Sequence, residues 1–404
     1  MSMFSGRAGK VREVLKMKKL FIVLLLTCFV SVLGFSGAED VDVYAYLYRA
    51  STTNSAQLDI LQNMAEAKLT GAGEFYASAL RRLVSEYSNI KSSTEKNAAA
   101  EQAMILSALL GAEKYTPAAP DLWLVVDGFS EPLVRAEALM ALGKIRATSY
   151  LPHVIRVLDN LNLKPTPDRL NGERVAFGAI ISLEKYQDPS GYLSVFLAST
   201  GWYSQRIRTQ ATKSLPFIAK DPSPFMLEIV KSVKYDYPTK YLALQTIEKT
   251  NVDAKNKSEI AVAALAEGQK AVGNDVQLST ILANMRKQAL TMINRYKSND
   301  PSLYLLLRRS YTNGYDLQEK ILAVNAISSQ RTDDAADLLS EFLTALNDRL
   351  PLNRDQDQLI REIIRGLGIT GRPKARTALN TVAMFDYTPA IKTLAAQAMS
   401  QIPN

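Results

Sequence analysis

Between Glu131 and Leu158 the chain reads EPLVRAEALMALGKIRATSYLPHVIRVL, and no other stretch restricts the possible folds as much. Val134, Ala138, Ala141, Leu142 and Ile145 recur at three-, four- and seven-residue spacing. After a short polar break and Pro152 comes a second apolar series at Val154, Ile155, Val157 and Leu158. The pattern predicts two amphipathic helices joined by a turn. Alanine at several stripe positions lets a neighbouring helix approach closely. One such pair cannot bury both of its faces, so copies are required on either side.

The copies are present. With Leu142 as landmark, a basic residue stands seven positions earlier (Arg135) and an alanine four positions earlier (Ala138). The register returns as Arg208/Ala211/Leu215, Lys240/Ala243/Ile247, Arg286/Ala289/Ile293, Lys320/Ala323/Ile327 and Lys392/Ala395/Met399. Weaker copies centre on Leu110, Leu183 and Leu367. Successive landmarks are about 32 to 46 residues apart, the range of helical-pair repeats.

VRAEALMALGKI with its trailing YLPHVIRVL resembles a HEAT repeat, in particular the short bacterial form of phycobilisome-lyase-type proteins. The resemblance covers about residues 94 to 402 and is most specific at 131 to 158. It implies an all-α fold, an α-solenoid of stacked helical hairpins with a curved binding surface, and it implies no chemistry. About eight to ten helical pairs are expected, over residues 56 to 404.

The first 38 residues are of another kind. Arg7, Lys10, Arg12, Lys16, Lys18 and Lys19 precede an uncharged, largely apolar run from Leu20 to Leu33, and Ser36, Gly37 and Ala38 follow it. This reads as a signal peptide cleaved near Ala38, which makes the protein periplasmic or otherwise exported. If instead the segment is retained, it anchors the chain to a membrane. It also carries much of the charge. The full chain is +8, but residues 1–38 hold six basic residues and one acidic, which leaves +3 for the remainder. That balance gives no reason to expect a nucleic-acid partner. Cys28 is the single cysteine and leaves with the leader, so thiol chemistry, thiolate metal sites and c-type haem attachment are excluded from the mature chain.

Along the rest of the chain, residues 39 to 55 alternate weakly and are expected to be an irregular lead-in. Helices are expected over QLDILQNMAEAKL and EFYASALRRLVSEY, then over 94–111 and 120–127. A long polar link is expected from Asp159 to Gly172, and an exposed loop at 345–357. Pro216 should shorten or kink its helix, and Thr388 to Ile402 should form a closing helix.

No catalytic constellation emerges. His153, the single histidine, stands in the first turn of a predicted helix with no cysteine or second histidine to pair with. No P-loop, dinucleotide-binding turn or EF-hand loop is present, and no cofactor or metal is expected. Two sets of residues are candidates for binding. Arg135, Arg208, Lys240, Arg286, Lys320 and Lys392 occupy one position of successive repeats. In HEAT-like repeats this position resembles a ladder residue, here paired with Glu131, Asp236 or Asp316; the alternative is a positive strip that meets an acidic partner. Trp202 and Tyr203, with Tyr192, Tyr235, Tyr237 and Tyr241 nearby, form an aromatic set near the repeat edges. The expected function is an exported scaffold or adaptor that presents a concave surface to another envelope protein. The alternative is a lyase-like or small-ligand-handling protein, against which export and the lack of cysteine both count.

Overall fold

The computed structural model describes residues 38–270, 275–298, 300–349 and 351–403. These residues form twenty α-helices and no strand. The predicted signal peptide lies outside the described residues, except for Ala38, where the first helix begins. The chain divides into two compact units, residues 1–219 and 220–404.

The first unit holds α1 (Ala38–Ala50), α2 (Asn54–Glu66), α3 (Gly73–Tyr87), α4 (Ser93–Glu113), α5 (Ala119–Gly128), α6 (Pro132–Lys144), α7 (Leu151–Leu163), α8 (Arg169–Tyr186), α9 (Tyr192–Thr200) and α10 (Gln205–Ile218). The second holds α11 (Ser223–Lys231), α12 (Tyr237–Lys249), α13 (Ala254–Gly268), α14 (Val276–Tyr296) and α15 (Leu303–Thr312). It continues with α16 (Leu317–Gln330), α17 (Asp333–Asn347), α18 (Arg354–Thr370), α19 (Ala375–Thr381) and α20 (Pro389–Ser400). Even-numbered helices from α4 to α20 carry the landmark residues; within each unit they pack on one another as one layer, and the odd-numbered helices flank them. Each unit is a stack of helical hairpins, as in an α-solenoid.

The repeat register marks what is buried. Ala138, Ala211, Ala243, Ala289 and Ala323 are wholly inaccessible, as are Leu110, Leu142, Ile247, Ile293, Ile327 and Leu367. Small side chains in this layer bring backbones together. A Cβ on Gly178 of α8 would stand 2.6 Å from the Ala136 Cα and carbonyl oxygen of α6, and one on Gly143 of α6 would stand 2.6 Å from the Ser182 backbone of α8. The odd-numbered helices touch one another far less in the first unit, and each packs mainly on the even-numbered helix that follows it. The closest hairpins are therefore α3/α4, α5/α6, α7/α8 and α9/α10 in the first unit. The pair read from the sequence as one hairpin, α6 and α7, is joined by a turn but shares less surface. That turn recurs: Lys114, Arg146 and Gln187 take positive φ of 54°, 51° and 57°, and each precedes a short 3-10 helix that starts the next element.

Two expectations are corrected. Residues 39–55 are not irregular: α1 spans most of them, because Ala45 and Tyr48 share one face and are buried. The Tyr48 hydroxyl donates to Gln102 Oε1 at 2.8 Å, and its ring meets Phe75 edge-on. The polar link from Asp159 to Gly172 is mostly helical, with a break between α7 and α8 at 164–168. Its Asn162 serves tertiary bonds, donating to the Ser194 carbonyl and accepting from the Tyr203 hydroxyl. Pro216 lies in the last turn of α10, which ends two residues later. The closing helix stands where expected, as α20.

Candidate binding groove

Helices α6 and α8 each carry a second set of residues, beside the landmark stripe, at the same spacing. In α6 these are Leu133, Ala136, Glu137 and Met140, and in α8 they are Leu170, Glu173, Arg174 and Phe177. Both sets follow i, i+3, i+4, i+7 and so fall on one helix face. With Met104 of α4 and with Arg206 and Ile207 of α10, they line a groove of about 380 Å³ in the first unit. Leu133 is 52% exposed and Leu170 58% exposed; Met104, Met140 and Phe177 are half-buried. Five large apolar side chains from three adjacent helices thus reach solvent together, an arrangement more characteristic of an interaction surface than of scattered surface leucines.

The charged groups around the groove differ in how they are satisfied. Glu173 is buried; its carboxylate accepts from the Ser204 amide and hydroxyl, both at 2.7 Å, and from Arg169 Nε at 3.2 Å. Burial pushes this carboxyl up, but the Ser204 and Arg169 hydrogen bonds outweigh it and hold the group below the ordinary carboxylate range. Glu137 pairs with Lys144 at 3.6 Å. The Arg206 guanidinium lies 5.8 Å from the centre of the Phe177 ring, and Arg174 donates to the neutral Asn171 Oδ1 at 3.3 Å.

The residues of the basic column read from the sequence differ in burial and in partner. Arg135 donates from Nε to the Val126 carbonyl at 2.9 Å, at the C-terminal end of α5, where a cation also meets the helix dipole. Lys240 is buried and bonds Glu267 at 2.6 Å. Burial raises the Glu267 carboxyl, but hydrogen bonds from Lys240 and Lys270 lower it further, so the net shift is downward. Arg286 grips Glu319 with two bonds, at 2.6 and 2.9 Å, and donates to the Gly268 carbonyl at 2.7 Å. Arg208 reaches Gln205 through Nη2, while its buried Nε has no partner among the described residues. Lys320 is half-buried and Lys392 exposed.

The acidic groups proposed as ladder partners serve elsewhere. Glu131 accepts from Tyr87, Asp236 caps α12 through the Thr239 amide, and Asp316 caps α16 and pairs with Lys287. Trp202 and Tyr203 stack at 4.2 Å. Trp202 Nε1 donates to the Leu161 carbonyl and the Tyr203 ring is buried, so both pack at the end of the α7–α8 hairpin. His153 is exposed beside the Trp123 and Tyr150 rings. The groove itself was missed in the sequence. The available signal was the second apolar stripe of α6 and α8, hidden among residues that a single amphipathic stripe assigns to the solvent side.

Fold and repeat register together define an all-α protein built from stacked helical repeats. The family model of the PBS lyase HEAT-like repeat matches residues 134–160, so the repeat that the sequence shows most clearly is one of that kind. The sequence matches none of the curated proteins. Among solved structures the chain is similar to human deoxyhypusine hydroxylase in complex with glycerol, at 16% identity over 90% of this chain and 96% of that one, with a TM-score of 0.25.

Proposed function

We propose that the protein is an exported scaffold that binds another protein of the cell envelope on the even-numbered helix layer of its first unit. The observation that carries this reading is the groove, where Leu133, Leu170, Met104, Met140 and Phe177 expose apolar surface in register across α4, α6 and α8. Such a surface supplies hydrophobic anchors for a partner while the repeat packing beneath it stays intact. The leader-like composition of residues 1–38 motivates the location.

In-cell crosslinking, affinity capture and mass spectrometry test the proposal, and the same experiment reads the N-terminal residue. One abundant envelope protein crosslinked to α6 or α8, on a chain starting near Glu39, is the expected result. A cytoplasmic partner, or none, would refute it. A small ligand is the second reading. It is favoured by a cavity of about 500 Å³ in the second unit, which Tyr311, Lys320, Phe342 and Arg349 help to line. A small molecule that copurifies with the protein and is lost on Lys320→Ala would support that reading.

A further inference from the structure

We infer that the groove takes an acidic amphipathic segment, whose apolar side chains sit against Leu133, Met140, Leu170 and Phe177 and whose carboxylates meet Arg174 and Arg206. This rests on the protein-binding reading and names the chemistry of the partner.

The argument is one of charge complementarity. Four charged side chains line the groove, and the two carboxylates are already satisfied: Glu173 by Ser204 and Arg169, Glu137 by Lys144. The two guanidinium groups are not matched in this way. Among the described residues no carboxylate pairs with Arg174, whose bond goes to an amide oxygen, or with Arg206, which stacks over Phe177. The groove therefore presents two positive charges in excess. Nor does α10, which supplies Arg206 and Ile207 to the groove, bring a counter-charge: it contains no acidic residue, and no Asp or Glu occurs from Pro189 to Lys220.

An arginine beside an apolar floor recognises a carboxylate better than a lysine does, since its planar fork binds both oxygens and its face rests on an aromatic ring. A basic segment would meet like charge at both arginines. A wholly apolar segment would fill the floor and leave both guanidinium groups under partial cover without a counter-charge. The spacing of the floor fits a helical occupant, because Leu133 and Met140, like Leu170 and Phe177, are seven residues apart on parallel stripes and match anchors at i, i+3 and i+7 of a helix laid across them.

The test selects a random dodecapeptide phage library on the immobilised full-length chain, in parallel with the Arg174→Glu/Arg206→Glu chain. The wild-type chain should enrich peptides that combine Leu, Met or Phe with Asp or Glu. The reversed chain should lose the acidic residues and enrich Lys or Arg. The best acidic peptide, measured by fluorescence anisotropy, should bind the reversed chain at least about tenfold more weakly. Its affinity for the wild-type chain should fall as salt rises.

Leu133→Asp, at a half-exposed position that folding does not require to be apolar, should weaken the same peptide comparably while the helical circular dichroism is unchanged. No enrichment, enrichment of neutral or basic peptides, or an unchanged selection after charge reversal would each overturn the inference. A cellular partner that is still captured by the Leu133→Asp chain would leave the scaffold reading standing and remove the groove as its site. If an acidic peptide binds as described but no cellular partner is captured, the scaffold reading fails and the groove chemistry does not.

Discussion

Arg286 offers the sharpest test of the reading that the basic residues mainly hold the repeats together. Its side chain is 13% exposed and that of its partner Glu319 1% exposed. The two bonds between them join α14 to α16, and a third runs from Arg286 to the Gly268 carbonyl of α13. Replacement by methionine keeps the apolar stem but leaves the Glu319 carboxylate buried with the Tyr315 amide, at 3.0 Å, as its remaining donor outside its own helix. Removing one member of a buried ion pair typically costs about 3–5 kcal/mol, most of it from the stranded charge. The loss expected for Arg286→Met is therefore about 3–4 kcal/mol. The double variant Arg286→Met/Glu319→Met removes the stranded charge as well, and should recover to within about 1–2 kcal/mol of the original. Urea unfolding followed by circular dichroism measures both. Amide exchange shows whether the weakened region is α13 to α16, which is the local signature a stacked array should give. A single-variant cost below about 1 kcal/mol, or a double variant no better than the single, would refute the reasoning.

Three further predictions follow from the same geometry. Arg208→Met removes a buried Nε that has no acceptor, so unlike Arg286→Met it should leave stability unchanged or raise it by about 1 kcal/mol in the same urea assay. Glu267 is held below its ordinary value of 4.5, so its contribution is fully present above that pH and is lost as pH falls through the lower folded value. The cost of Glu267→Gln, measured by thermal melts, should therefore be large at pH 7 and should shrink as the pH falls below 4.5. Gly178→Ala should cost about 1–3 kcal/mol, because the added methyl meets the α6 backbone and rotation of a side chain cannot relieve it. Gly128→Ala, where nothing lies within 4 Å, should be tolerated.

What was legible in the sequence was what repeats. Ala138, Ala211, Ala243, Ala289 and Ala323 were identified by register, and all are buried, since burial in a stack depends on the position within a helix and that position is written in the spacing. The partners of the basic column were not legible. Whether Arg286 meets Glu319 or Asp316 depends on the rotation of one helix against the next. Both acids lie on the same first turn of α16, one as its N-cap and the other three residues on, and spacing alone cannot choose between them. The lead-in was misread because α1 shows short polar and apolar alternation, while its burial rests on two residues, Ala45 and Tyr48. The stretch from Asp159 was misread for a related reason: Asn162, of a residue type that usually marks loops, lies in α7 and bonds across to the following repeat.

The groove follows from the same packing that makes the repeat. Gly178 against Ala136, and Gly143 against Ser182, bring α6 and α8 so close along one line that larger side chains have no room between them. Residues seven apart on the outer flank of that line, Leu133 and Met140 on one helix and Leu170 and Phe177 on the other, are thereby set side by side with their apolar surface outward. A single helix with two apolar stripes needs two partners. In α6 and α8 the broader stripe is covered by the neighbouring repeats, and the narrower one stays partly exposed among the described residues. Widening the helix spacing should disturb both at once. Gly178→Ala should therefore weaken any groove ligand as well as the fold, whereas Leu133→Asp should weaken the ligand alone, and comparing the two separates the surface from the scaffold that carries it.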